Sequence, residues 1–428
     1  MSNEINGQVL SCNEKAVRKS NSGVLCFLQK AFFLIYIFLM PLENVLASSL
    51  GGSLIKYVGI VIIGINVLSI LLKGSIYYKK GMPIVILFCL YALISIIWAN
   101  NDFNSSYFII ILNMLLFTFT FTNTTYDKKF FDNIFKVLVI SGLIVSIMVV
   151  FGIGMSSTTK TYYGETRRTL SVDGANVDNN NLATMLCLQF VAGFFLFLKT
   201  RKLRNKMIYL FICILMLVAI FYTGSRGSLL GLAASFVVYF FVSKTRHKIL
   251  KLFCAGLLLI FAFYMMVLIL PPSVTQRFSI ESVLQTGGSG RFDIWKNAMT
   301  IFQEASFKDK LLGYGWSSFP FIMESSYNWF VAAHNDFVEV LIELGVLGIL
   351  LYIILLASFF FLAKKKDICL VPFFIIVLCS SVSMEMLVKK MFWMVILFIL
   401  IYPNKSKVQI ETTSINTNSN QELQGENV

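Results

Sequence analysis

Apolar residues run in blocks of membrane-spanning length from about residue 31 to residue 402, separated by short polar turns. A helix needs about 20 apolar residues to cross a hydrocarbon core of roughly 30 Å. The pattern predicts twelve spans, at 31–50, 54–72, 82–99, 106–122, 134–153, 180–198, 207–223, 227–243, 249–270, 336–362, 368–384 and 388–402. The expected fold is an all-α polytopic membrane protein of about twelve transmembrane helices. An even number of spans puts both termini on one side. The expected divisions are a cytoplasmic N-terminal segment (1–30), spans one to nine (31–270), a large outer loop (271–335), spans ten to twelve (336–402) and a disordered cytoplasmic tail (403–428). The tail is rich in Asn, Ser and Gln and lacks apolar blocks.

Composition agrees with this pattern. Of 428 residues, 57% are hydrophobic and 14% charged, whereas a soluble domain is about one quarter charged. The mean hydropathy is +0.77. A soluble, disordered or fibrous chain is excluded. The net charge of +14 does not point to nucleic acid, because the basic residues form short clusters between apolar blocks. They follow a positive-inside pattern instead. On the N-terminal side of the spans lie 23 of the 36 Lys and Arg residues, 12 lie opposite, and Lys136 sits within a span. The termini are therefore expected in the cytoplasm, with 199–206 as the clearest cytoplasmic loop.

The eight cysteines form no CxxC pair and none falls in a segment expected outside, which argues against a disulfide framework or a thiolate metal site. Two histidines, His247 and His334, are too few for a His-rich metal centre. No small-residue cleavage signal follows the first apolar block, so it is expected to be retained as a span.

Two outer segments are long, 154–179 and 271–335. The second carries five basic and five acidic residues and opens with Pro271-Pro272, which ends span nine. Within it, 291–304 places Phe292, Trp295, Met299 and Phe302 at helical spacing. This predicts a short amphipathic helix over the outer membrane face, with Ser289 as its N-cap.

A few polar residues are not explained by the membrane pattern. His334 is the one histidine expected outside, at the entrance to span ten, where the helix N-terminus disfavours imidazolium and a neutral ring can accept a proton. A simple capping role is the alternative. Arg226, in Thr223-Gly-Ser-Arg-Gly-Ser228, lies outside against the positive-inside bias and at a helix N-terminus. A bound anion would account for it, as would an ordinary lipid headgroup. Arg291 follows Thr286-Gly-Gly-Ser-Gly290 at the start of the loop helix and makes the same case; Arg277, and after it Arg167 and Arg168, make weaker ones.

Asp336, Glu339 and Glu343 share one face of span ten. Glu343 lies deeper and is expected to orient a basic partner; Glu43 and Glu385 pose the same question. Trp295, Trp316 and Trp329, with Tyr314 and Tyr327, are candidates for stacking on sugar rings, or for anchoring at the membrane interface. Gly345 and Gly348 are expected to allow close helix packing.

The pattern His334-Asn335, nine residues, Gly345, two residues, Gly348 resembles the signature of the bacterial O-antigen ligase and polymerase superfamily. Ser225-Arg226-Gly227 is similar to that family's Arg turn, and Arg291-x-x-x-Trp295 followed by Leu312-Gly-Tyr-Gly-Trp-Ser-Ser-Phe319 fits the same pattern. The resemblance covers residues 223–348 closely. It implies an integral membrane glycosyltransferase in lipopolysaccharide or surface-polysaccharide biosynthesis. Such an enzyme moves a glycan from undecaprenyl diphosphate to an acceptor hydroxyl, on lipid A core or a growing polysaccharide chain. It works at the outer side of the bacterial cytoplasmic membrane, without a metal, nucleotide sugar or other cofactor. The resemblance also implies an inverting transfer. Arg226 and Arg291 would neutralise the diphosphate, and His334 would act as base or as phosphate ligand. Arg277, Asn335, Trp295, Tyr314 and Trp316 would contact substrate. Twelve spans also fit a transporter or flippase for lipid-linked sugars. A carrier, however, should show internal repeats and polar groups at mid-membrane depth, whereas here they gather at the outer ends of spans eight and ten.

Overall fold

The computed structural model describes residues 23–43, 54–73, 79–99, 105–122, 126–153, 155–158, 167–172, 175–176, 178–244 and 290–403, with isolated positions 124, 256, 264, 267, 268 and 275. Over these residues the chain is a bundle of apolar helices. They are α1 (Gly23–Leu42), α2 (Leu54–Lys73), α3 (Met82–Ser95), α4 (Ser105–Thr122), α5 (Lys128–Phe151), α6 (Asn179–Lys199), α7 (Leu203–Tyr222) and α8 (Arg226–Val242). After the long loop come α9 (Arg291–Glu304), α10 (Phe307–Leu312), α11 (Phe319–Tyr327), α12 (Asp336–Lys366), α13 (Leu370–Ser381) and α14 (Lys390–Ile401).

Among the described residues, α1, α2, α5, α6, α7 and α12 are long and apolar enough to cross a membrane. Five shorter apolar helices, α3, α4, α8, α13 and α14, fall on further expected spans. The expected ninth span, 249–270, and Arg277 lie outside the described residues.

The first span differs from expectation. It begins at Gly23, so 23–30 are already helical, and the helix ends at Leu42 instead of running to 50. Pro41 stands in the closing 3-10 turn Met40–Leu42, where a proline that lacks an N–H and clashes with the preceding turn is tolerated. The segment 154–179 also departs from an all-helical reading. It carries a small antiparallel sheet of β1 (Met155–Thr158), β2 (Arg167–Val172) and β3 (Ala175–Asn176), in the order β1-β2-β3.

The core lies around α13 and α14. Every residue from Met391 to Ile401 is buried, as are ten of the twelve in α13. Twelve residues span only about 18 Å, so neither helix reaches across a bilayer core alone. Other helices enclose them. α13 packs along α8 and also against α6 and α12, and α14 against α4 and α12. At the other end, Lys366 is buried and donates to the carbonyls of Leu400 (2.7 Å) and Tyr402 (2.9 Å), satisfying the C-terminal carbonyls of α14.

Between the short helices, 382–389 forms an irregular turn whose Met384, Glu385, Met386 and Leu387 are buried. Buried irregular backbone must find internal partners. Here the Leu387 N–H donates to Asp336 (3.3 Å) and the Trp393 indole donates to the Leu387 carbonyl (2.7 Å).

Candidate functional site

His334 is the residue around which this end of the bundle is arranged. Its backbone has φ +49°, a left-handed conformation that side chains other than glycine rarely adopt. The strain, of order 1–2 kcal/mol, is offset by fixed partners on both sides. The His334 N–H donates to Glu385 Oε1 at 3.2 Å, and the same carboxylate lies 3.5 Å from Nδ1 of the imidazole. The ring is about half exposed while Glu385 is nearly covered, so the acid lies beneath and the imidazole faces outward. One side chain thus fixes both the backbone and the ring of His334.

The neighbours of His334 complete the frame. Asn335 caps α12, its side-chain oxygen accepting from the N–H groups of Phe337 (2.9 Å) and Val338 (3.3 Å). That use, rather than substrate contact, is what its geometry displays. Asp336 is buried and accepts from the Tyr352 hydroxyl (2.9 Å) as well as from Leu387. It ties the Glu385 turn to α12.

The Arg226 turn is braced by α6, which is capped by Asp178 accepting from Asn180 N at 2.9 Å. Ser225 Oγ reaches Asn180 Oδ1 (2.9 Å) and Ser228 Oγ (2.9 Å), and Thr223 Oγ1 accepts from Ser225 N (3.3 Å). Arg226 is the first residue of α8 and half-buried. Gly227 sits against the Glu385 turn so closely that an added Cβ would come within 2.8 Å of Ser383 Oγ. The Arg turn and the His–Glu pair therefore share the 382–389 segment as a common wall.

Arg291 approaches from the loop side. It opens α9 after Gly290, which takes φ +80° and occupies the N-cap position; Ser289, expected there, lies outside the described residues. One turn later, Trp295 donates through its indole to the carbonyl of Ala333 at 2.9 Å, directly before His334. The buried stripe of α9 is Ile294, Ala298 and Ile301, with Trp295 and Phe302 packed beside it. Phe292 and Met299, expected on the same face as Trp295 and Phe302, are exposed. The stripe turns toward the loop's own small core with Phe319, Met323 and Ile342, which fixes α9 to protein.

The aromatic candidates separate. Trp295 is a brace for the His334 segment. Tyr314 is partly buried in the loop core, and burial raises its phenol above the ordinary tyrosine range, so it remains a neutral hydroxyl. Trp316 is 2% exposed and belongs to the main bundle core, which corrects its assignment to sugar stacking: its face meets protein. Arg167 and Arg168 lie in β2.

Two further expectations are corrected at span ten. Gly345 does not serve simple helix packing. Its φ of +64° and ψ of −166° break α12. The break frees carbonyls that the outer loop and α3 take up. Tyr314 N donates to Ile342 O (3.1 Å), Gly315 N to Glu343 O (2.7 Å), and the Tyr91 hydroxyl to Leu344 O (3.1 Å). Gly313 meets Gly345 backbone to backbone, and a Cβ on either would lie 2.5 Å from the other's nitrogen. Glu343, expected to orient a basic partner, instead accepts the N–H groups of Ser317 (2.8 Å) and Phe319 (2.9 Å), one on each carboxylate oxygen. Helix α3 and the 3-10 turn Ile96–Trp98 after it close the joint, with Trp98 Nε1 donating to Gly313 O (3.2 Å) and Trp316 N to Ser95 Oγ (2.9 Å). The Gly-Tyr-Gly-Trp-Ser-Ser-Phe stretch is thus bound as one strip to the kink of span ten.

With this geometry in hand, the comparison with known families is specific. Residues 211–353, one third of the chain, match the family model described as O-antigen ligase. This match supports the resemblance to the O-antigen ligase and polymerase superfamily. The matched O-antigen ligase region contains Arg226, Arg291, His334 and the Gly313–Gly345 joint, whereas Glu385 and the two short core helices lie beyond it. Among curated proteins, none matches the chain significantly. The apolar helices and the family together mark a multi-pass membrane protein.

Sequence reasoning singled out His334 but left its partner unassigned. Glu385 lies 51 residues further on, and its one visible signal was a carboxylate stranded in an apolar run.

Proposed function

We propose that the protein transfers a glycan from undecaprenyl diphosphate to an acceptor hydroxyl on the outer side of the bacterial inner membrane, as an O-antigen ligase or polymerase. The acceptor is lipid A core or a growing polysaccharide chain. The observation that carries this reading is the His334–Glu385 pair, braced from one side by the Arg226 turn and from the other by the Arg291 helix. Displacement of a diphosphate needs cationic donors on the leaving oxygens and a base for the incoming hydroxyl. Arg226 and Arg291 supply planar guanidinium donors at helix N-termini, an arrangement suited to phosphate oxygens. The acceptor hydroxyl attacks the anomeric carbon, its proton passes to His334 Nε2, and the bond to the diphosphate breaks with inversion. Glu385, on the Nδ1 side, holds the ring and faces the imidazolium that results.

Arg277 and Tyr314 remain assigned to the substrate side as part of the same proposal, Tyr314 as a neutral donor. The orientation, with both termini in the cytoplasm and the His334 end outside, rests on the positive-inside distribution.

The experiment is complementation of a deletion strain with His334→Ala and Arg291→Ala at equal membrane abundance. Each variant is expected to lose surface glycan. Loss of all long chains with lipid-linked polymer accumulating assigns ligase, and single repeat units on the core assign polymerase. Normal glycan in His334→Ala removes that residue from the mechanism.

A further inference from the structure

At the end of the Glu385 turn, the structure holds a cavity of about 410 Å³, bounded by α1, α4, α6 and the start of α14. Its volume is in the range of small-molecule sites, roughly 300–1,000 Å³. Its position is tied to the candidate site through two walls. Lys389, which lines it, is four residues from Glu385. Asn181, on another wall, follows Asn180, which bonds Ser225 in the Arg226 turn.

The lining divides into two halves. Met40, Met114, Met185 and Met391 contribute to an apolar wall of flexible, polarisable side chains, which adapt to irregular chains. The polar side holds Lys390 paired with Glu43, a mutually neutralised couple, and then Lys389. Among the described residues no carboxylate makes an ion pair with the half-buried Lys389, although buried Glu339 interacts with it electrostatically. The Asn181 side-chain oxygen is buried and has no donor among the described residues. The cavity therefore offers one cation outside any ion pair among the described residues and one open acceptor beside an apolar wall.

We propose that this cavity binds the phosphate end and adjoining apolar segment of an anionic amphiphile, with Lys389 on the phosphate, Asn181 accepting from a hydroxyl next to it, and the methionine wall on the chain. An isoprenyl phosphate and a glycerophospholipid share this chemistry. The cavity is too small for a whole membrane lipid, so the remainder of the chain lies outside it. In the transfer reading above, which the binding itself does not require, this is the anchoring place of the acceptor lipid.

The test uses full-length protein in phosphatidylcholine nanodiscs, titrated with farnesyl phosphate as probe, with lysophosphatidylglycerol as competitor. Lys389→Gln and Met185→Trp are each expected to weaken farnesyl phosphate binding at least tenfold, and His334→Ala to bind within twofold of wild type. Displacement by lysophosphatidylglycerol at equal concentration identifies a general phosphate-amphiphile site; no displacement identifies isoprenoid selectivity. Unchanged affinity in Lys389→Gln with a wild-type melting temperature overturns the proposal, as does a loss in His334→Ala that Lys389→Gln does not share. Normal glycan transfer in His334→Ala would refute the transfer reading and leave this binding result untouched.

Discussion

The joint between Gly313 and Gly345 permits a direct calculation. Gly313→Ala places a methyl group against the Glu343 carbonyl and 2.5 Å from Gly345 N, at a residue whose φ is +77°. The overlapped atoms are backbone on both sides, so no side-chain rotation relieves it. The backbone at φ +77° and ψ 177°, a region essentially confined to glycine, costs an alanine about 1–3 kcal/mol, and forced separation of packed atoms adds about 1–3 kcal/mol. Separation also lengthens the bonds from Gly315 N to Glu343 O and from Tyr314 N to Ile342 O, each contributing about 1 kcal/mol.

The strip 313–319 should therefore open more readily by at least about 2 kcal/mol, roughly a thirtyfold rise in the open population. Limited proteolysis in the regime of fast reclosing reads that population. The assay compares cleavage rates within 305–332 for wild type, Gly313→Ala and Gly64→Ala, the last at a helix position where an added Cβ meets nothing within 4 Å. Gly64→Ala should cleave as wild type and Gly313→Ala at least tenfold faster. Equal rates for all three would refute the argument that the glycine pair clamps the loop.

Glu343→Gln tests the other half of the clamp: its single side-chain oxygen leaves Ser317 N or Phe319 N unpaired, costing about 1–3 kcal/mol, so thermal scanning should show a lower midpoint and the loop should cleave faster. Glu385→Gln keeps the volume but not the charge opposite His334; transfer should fall at least tenfold while the melting temperature changes little, read from initial rates with a lipid-linked glycan. Arg226→Lys should lower transfer at unchanged expression, because a point charge does not replace a planar two-pronged donor; full activity would reduce its role to charge alone. Gly227→Ala should impair transfer through its contact with Ser383 Oγ, and Ser383→Ala in the same chain should restore part of the loss.

What was legible before the structure was whatever acts locally. The apolar helices were readable because transfer of a run of apolar side chains into hydrocarbon depends on the run alone. The segment 155–176 was not, because short strands in a polar loop carry too few residues for a period to emerge. Trp316 looked like a ligand-facing aromatic since a ring in a loop has the same local pattern whether it meets sugar or protein; only the packing of α3 against the loop reveals that it is covered.

The linear chain by itself determined a helical membrane bundle, the asymmetry of its basic residues, and the singular His334 with arginines at two helix starts, since hydropathy, charge and residue chemistry belong to each segment alone. Only the tertiary structure decided that Glu385 lies under His334, that Glu343 binds backbone N–H groups and no cation, and that Gly345 breaks its helix to receive Gly313. Those outcomes depend on which distant carbonyls and carboxylates are left to be satisfied once the helices pack, and no window of sequence contains both partners.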